Sequence, residues 1–156
     1  MMLSNYKVLS MGNNSKGQLG LGIDFPSSGT ANAESVQLPD NLLAASVYAG
    51  TAHSMILTTD GAAFAFGYNS KGQLGIRRNL IDQFEPTKVQ GIGPKNPSNT
   101  SRWLSALLIQ AGKRPKSISG EKRAAYASLG AFHSGILTDE GKIYMWGSSD
   151  RGRLGM

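Results

Sequence analysis

The chain repeats itself, and the repeat limits what it can fold into. Residues 46–76 (SVYAGTAHSMILTTDGAAFAFGYNSKGQLGI) and 126–156 (YASLGAFHSGILTDEGKIYMWGSSDRGRLGM) align without a gap and agree at eleven of thirty-one positions. The shared residues are Gly50/Gly130, His53/His133, Ser54/Ser134, Ile56/Ile136, Leu57/Leu137, Thr58/Thr138, Gly61/Gly141, Gly67/Gly147, Gly72/Gly152, Leu74/Leu154 and Gly75/Gly155. A third, partial copy opens the chain: MGNNSKGQLGLG at 11–22 matches FGYNSKGQLGIR at 66–77 at eight of twelve positions. Self-similarity at this spacing marks an array of supersecondary units, none of which can bury its faces alone. Residues that recur are expected to be structural. Function is expected where the copies differ.

Each copy reads as short strands joined by turns. Residues 54–59 form an apolar, β-branched run that meets Asp60-Gly61, a hairpin signal because such turns need positive φ. Residues 62–66 are the returning strand. The last copy repeats the pattern as 135–139, Glu140-Gly141 and 142–146, with Trp146 at the position of Phe66 and assigned to the core. Residues 6–11 form the corresponding strand of the first copy. The following G-x-N-S-K-G-Q-L-G loop carries one apolar residue per copy (Leu19, Leu74, Leu154), read as a plug between neighbouring sheets. A further strand is expected at 84–89, where Pro86 confines it to an edge or a bulge, and an equivalent piece at 34–38. Twenty glycines suit such a turn-rich chain. The expected fold class is all-β: a partial β-propeller of antiparallel blades, with a loop-plus-short-helix basic insertion.

The pattern G-x-x-H-S-x-x-L-T-x-x-G, an aromatic-Gly pair and N-x-x-G-Q-L-G resembles the regulator of chromosome condensation repeat family. The resemblance covers residues 6–22, 46–89 and 126–156. It implies seven-bladed propellers and functions ranging from nucleotide exchange on a Ran-like GTPase to propeller modules of ubiquitin ligases, so it points to fold more than to function. The expected organisation is a partial first repeat (1–45), a complete repeat (46–90), a basic insertion (91–125) and a partial last repeat (126–156). One full and two partial units cannot close a ring of typically 4–8 blades. The expectation is either a fragment of a larger propeller or self-association to complete one.

The insertion is where the copies differ. It holds seven basic residues and one acidic residue, which accounts for the whole net charge of +6; the rest of the chain carries nine of each sign. Ser101 can cap a short helix over 102–110, ended by Gly112. Trp103, Leu104, Leu107 and Leu108 would share one face of it. That face either packs on the propeller or forms a partner-binding helix. Lys113, Arg114, Lys116, Lys122 and Arg123 form a basic interaction patch. It reads as a solvated loop, an import signal or a nonspecific contact to nucleic acid or chromatin through charge alone.

No candidate catalytic, cofactor or metal residue emerges. Absence of cysteine removes disulfides and thiolate metal sites. His53 and His133 occupy the same repeat position, so both are read as holding a turn rather than as general bases. The loop at 12–17 has the spacing of a phosphate loop but lacks the Lys-Ser/Thr that follows one. Gly50, His53, Ser54, Gly61, Gly67, Gly72, Leu74 and Gly75 are therefore assigned structural roles, as are Gly130, His133, Ser134, Gly141, Trp146, Gly147, Gly152, Leu154 and Gly155. The N-terminus lacks a signal-peptide layout, and no apolar run reaches the roughly 20 residues of a membrane span; an intracellular protein, cytoplasmic or nuclear, is expected. The functional reading is a non-enzymatic protein-interaction module or scaffold that needs no cofactor. Its rival is an exchange factor or regulator of a Ran-like small GTPase with chromatin association.

Overall fold

The computed structural model describes residues 1–4, 6–76, 80–94 and 122–155. Among these residues there are ten β-strands in three antiparallel sheets. The first sheet has β1 (Met2–Ser4), β2 (Lys7–Gly12) and β3 (Thr30–Val36) in that order. The second has β4 (Ala44–Ala49), β5 (His53–Thr58), β6 (Ala63–Gly67) and β7 (Gln83–Lys88). The third has β8 (Ala124–Leu129), β9 (His133–Thr138) and β10 (Ile143–Gly147). The chain is thus all-β, a partial propeller. Among the described residues, no helix is long and apolar enough to cross a membrane.

The Asp-Gly turn behaves as its sequence requires. Gly61 has φ +85° and Gly141 has φ +79°. Each donates its N–H to the carbonyl of the threonine three residues earlier, at 2.9 Å for Gly61→Thr58 and 3.0 Å for Gly141→Thr138. The Thr58 hydroxyl also donates to the Asp60 carboxylate and closes the turn from its side-chain face. In the first copy the same position is Tyr6, which adopts φ +63° despite its Cβ. A non-glycine residue there carries a local conformational cost of roughly 1–2 kcal/mol.

Every residue of β5 and β6 is buried. This is why residues 54–58 read as a continuous apolar run rather than an alternating one: the second sheet is covered on both faces. Ile56 and Phe66 pack with Val8, Val36 and Ala44 toward the first sheet. Met55, Leu57, Ala63 and Ala65 pack with Ala127 and Ile136 toward the third. The strands β4 and β8 approach each other, with the Tyr48 and Tyr126 rings edge to face at 5.4 Å. At the far side, β7 is the outer edge strand. Pro86 falls where the β6–β7 register shifts, so its missing N–H breaks no ladder bond. The structural β3 begins earlier than the expected 34–38 segment, and β7 lies one residue earlier than expected.

Candidate functional site

The recurring residues meet at the junctions between sheets. Among the described residues there are two such junctions, and both are built the same way. In the loop after β2, the Asn14 side-chain oxygen accepts the Leu19 N–H at 3.1 Å, and Gln18 Oε1 accepts the Lys16 N–H at 2.8 Å. The loop after β6 repeats both bonds: Asn69 accepts Leu74 N–H at 3.1 Å and Gln73 accepts Lys71 N–H at 2.9 Å. These clasps turn the backbone so that Leu19 and Leu74 are buried between sheets. They also aim the carbonyls of Gln18 and Gln73 at the next sheet.

The next sheet answers with a serine and an aromatic ring. Ser54 donates to the Gln18 carbonyl at 2.9 Å, and Ser134 donates to the Gln73 carbonyl at 2.7 Å. The Phe66 ring lies over Gly20, where a Cβ would come within 2.7 Å of it. Trp146 lies over Gly75, and a Cβ there would come within 2.6 Å of its indole nitrogen. The last two glycine positions thus admit close approach of a ring, and both have positive φ. Trp146 is half-buried rather than enclosed, and its Nε1–H donates to the Gln73 carbonyl at 2.9 Å, so that one carbonyl accepts two bonds from the third sheet.

His53 completes the second junction. It is 1% exposed, and its Nε2 lies 2.9 Å from Ser134 Oγ. Because the Ser134 hydroxyl proton is directed to Gln73, the imidazole must donate through Nε2–H, leaving Nδ1 as a lone-pair acceptor. Burial, and secondarily the charge of His133, lower its pKa from 6.5 to about 4. A neutral, enclosed imidazole with so low a pKa is poorly matched to base catalysis near neutrality. The bond expected to hold a turn instead joins two sheets.

Two buried polar atoms are left over among the described residues, His53 Nδ1 and Gln73 Nε2. The Gln18 amide donates to Asn13 Oδ1 at 2.9 Å, but the second copy has Tyr68 where the first has Asn13. Gln73 Nε2 is consequently buried without a partner. The role of the glutamines was not readable from side-chain patterns, since it is their carbonyls that bridge the sheets. Their recurrence at Gln18 and Gln73 was the one available signal.

Of the basic patch, the described residues are Lys122 and Arg123. Lys122 is exposed, pairs through its backbone with Gly93, and holds its ammonium 4.4 Å from the centre of the Tyr144 ring. Arg123 lies over Gly61, and its guanidinium reaches the Thr59 carbonyl at 3.5 Å. Both residues are tied to the β-turn end of the sheets, away from the glycine-rich loops. Lys113, Arg114, Lys116 and the proposed helix face of Trp103, Leu104, Leu107 and Leu108 lie outside the described residues. Among the described residues, no group of three or more metal-ligating side chains comes together.

Stacked antiparallel sheets locked by a glycine-rich loop define a propeller-repeat protein. Residues 60–137 match the Regulator of chromosome condensation (RCC1) repeat, and a second pattern of that repeat matches 44–73 and 127–153. The chain belongs to this family. It is 33% identical over 144 residues to human "Probable E3 ubiquitin-protein ligase HERC3", covering 92% of this chain and 11% of that protein. To human "Probable E3 ubiquitin-protein ligase HERC6" it is 34% identical over 159 residues, covering 100% of this chain and 12% of that protein. To human "X-linked retinitis pigmentosa GTPase regulator" it is 29% identical, with 97% and 12% covered. Among solved structures, Prp20p from Saccharomyces cerevisiae superposes with a TM-score of 0.71 at 21% identity, over 98% of this chain and 32% of that one. The chain therefore spans about a ninth of the length of these curated relatives and about a third of the solved propeller.

Proposed function

We propose that this chain is a non-catalytic interaction module, a scaffold of RCC1-type repeats acting within the cell. The observation that carries the reading is the His53–Ser134–Gln73 chain of hydrogen bonds. It engages in structural work the side chains that would otherwise be candidates for a base and a nucleophile. The chemistry left for function is then surface recognition, with the 91–125 insertion as the segment that has no counterpart after the first copy of the repeat. The ligase relatives support a scaffold role, since the shared region is a small part of each. Cytoplasm or nucleus is the proposed location.

The second reading is regulation of a small GTPase with chromatin association. The solved Prp20p structure favours it, being described together with binding to Gsp1p and histones. Release of labelled GDP from a Ran-like GTPase separates the two readings. The scaffold reading expects no acceleration at micromolar concentrations of this chain. A clear rate increase would replace it with the exchange-factor reading.

A further inference from the structure

The two junctions differ at one point, and the difference carries a structural cost. The loop after β2 begins with Asn13, whose Oδ1 accepts the Gln18 amide and the Ser15 N–H, both at 2.9 Å. The loop after β6 has Tyr68 at that position, and Gln73 Nε2 is buried without a partner. The neighbouring turn changes as well. The turn before β5 has Ala52, and the turn before β9 has Phe132 at the same repeat position. The two larger side chains meet: the Tyr68 and Phe132 rings stand edge to face with 6.3 Å between centres. Phe132 is nevertheless 39% exposed, and Tyr68 is half-buried. The second junction thus lacks an amide hydrogen bond that the first one makes, and carries two aromatic rings at the surface instead. Burial does not account for the exchange, because a ring left partly in water gains little from it. Aromatic rings with one face open are the residues that protein interfaces favour.

Cations accompany the pair. Lys16 reaches over from the first loop and holds its ammonium 5.0 Å from the centre of the Tyr68 ring, with Asp82 at 3.7 Å as its ion-pair partner. Lys71 and Arg151 occupy the position of Lys16 in the second and third loops. Both are exposed, and among the described residues neither forms an ion pair. Asp82 and Asp150 are already engaged, the first by Lys16 and the second by the Ser148 hydroxyl at 2.8 Å. The glycine-loop end of the sheets therefore presents two rings and two unpaired positive charges.

We propose that Tyr68 and Phe132, with Lys71 and Arg151, form a docking surface for a short acidic peptide segment that carries an aromatic side chain. The inference rests on the interaction-module reading and names its class of partner. The partner's ring packs on the open part of the Tyr68–Phe132 pair, and carboxylates flanking that ring meet Lys71 and Arg151. A nucleic acid strand is the poorer complement. It needs a continuous basic groove for its phosphates, whereas the carboxylates of Asp82 and Asp150 are bonded to these same loops.

The test uses the full chain to select from a random peptide library displayed on phage, and then measures the enriched peptides by fluorescence anisotropy. Those peptides are expected to hold Trp, Tyr or Phe flanked by Asp or Glu. Tyr68→Asn combined with Phe132→Ala gives the second junction the residues of the first. It should weaken binding by about tenfold or more. Its Tm should stay within about 2 °C of the original or rise, because the asparagine supplies an acceptor for the Gln73 amide. Lys71→Glu combined with Arg151→Glu should turn the selection toward peptides with Lys or Arg in place of the acids. If the ring variant loses stability, the charge-reversed variant decides alone, and a selection that it leaves unaltered overturns the proposal. No enrichment, enrichment of basic or uncharged peptides by the original chain, or binding that survives the ring changes would also overturn it. So would tight binding of a labelled oligothymidylate that the ring changes abolish, because the occupant would then be single-stranded nucleic acid. Failure here removes this surface and leaves the interaction-module reading, which GDP release tests separately.

Discussion

His53 and Ser134, eighty-one residues apart in sequence, share a 2.9 Å hydrogen bond that ties the second sheet to the third. The bond is enclosed and leads directly into the Gln73 carbonyl, so its loss leaves the His53 Nε2–H without a partner and the Gln73 carbonyl with only the Trp146 bond. Removing one partner of such a bond costs about 1–3 kcal/mol. Ser134→Ala is expected to lower stability within that range, since it strips a bond from both His53 and Gln73. Chemical denaturation measures it. An unchanged midpoint would show that the junction does not depend on the hydroxyl.

The same histidine makes stability depend on pH. Its pKa is lowered from 6.5 to about 4 by burial and by the nearby charge of His133. Between these values the unfolded chain takes up a proton that the folded chain does not. Stability is therefore full above about pH 6.5 and falls as pH drops toward 4, by about 3 kcal/mol in all for this group. His53→Gln should flatten that part of the profile. A wild-type profile that is flat between pH 6.5 and 4 would mean that the folded chain takes up the proton at this site as readily as the unfolded one.

The indole of Trp146 sits on Gly75, where a Cβ would come within 2.6 Å of Nε1 and the backbone holds φ +68°. Gly75→Ala is expected to break the Trp146–Gln73 bond and to add backbone strain. The combined loss should be about 2–4 kcal/mol. Trp146→Phe, which keeps a ring but loses the donor, should cost only about 1 kcal/mol. If Gly75→Ala cost nothing further in a Trp146→Phe background, the clash with the indole would be the whole effect and strain would contribute nothing.

Much of this was readable from the sequence, and for a definite reason. The Asp60-Gly61 turn, the hairpin strands around it and the plugs Leu19 and Leu74 depend on local chemistry that each copy states afresh. Pro86 confined β7 to an edge or a bulge, and it lies in an edge strand where the register shifts. What a single copy does not encode is relational. No pattern in a single copy says that His53 reaches the serine of the following copy rather than its own turn. Nor does it say that Gln18 and Gln73 act through their carbonyls. Trp146 shows the same limit: its alignment with Phe66 pointed to the core, but its ring is half-buried where that of Phe66 is enclosed against the first sheet. The basic segment at 113–116 has no counterpart in the other copies, so the repeat offered no internal comparison for it.

Tyr6 occupies the turn position that Gly61 and Gly141 fill in the other copies, at φ +63°. Tyr6→Gly removes the steric penalty on that conformation but frees the unfolded backbone and gives up a half-buried ring. The net change is expected to be small, between a gain of about 1 kcal/mol and no change. Gly61→Tyr should cost more than 2 kcal/mol, because Arg123 lies directly over Gly61, within 2.7 Å of a Cβ there. Thermal melts of the two variants compare the positions, and a Gly61→Tyr cost no larger than the Tyr6→Gly gain would mean that the overlying Arg123 contributes nothing.

The basic insertion yields the last expectation, and the placement of Arg123 sharpens it. Arg123 is half-buried over Gly61 and bonded to the Thr59 carbonyl, so it is expected to act in folding more than in binding. Lys113, Arg114 and Lys116 are the residues proposed to contact phosphates. Binding to duplex DNA should be weak, without sequence preference, and steeply dependent on salt. Each neutralised phosphate contributes about 0.9 to the slope of log K against log salt. Changing Lys113, Arg114 and Lys116 together to Ala should therefore make the slope shallower by roughly 2.7 while leaving the melting temperature unchanged. Arg123→Ala should do the reverse, lowering the melting temperature and changing the slope by less than about 0.9. Fluorescence anisotropy at several salt concentrations distinguishes the cases. Sequence-selective binding that survives the triple change would move the nucleic-acid contact from the insertion to the sheets, and no binding at low salt would remove it altogether.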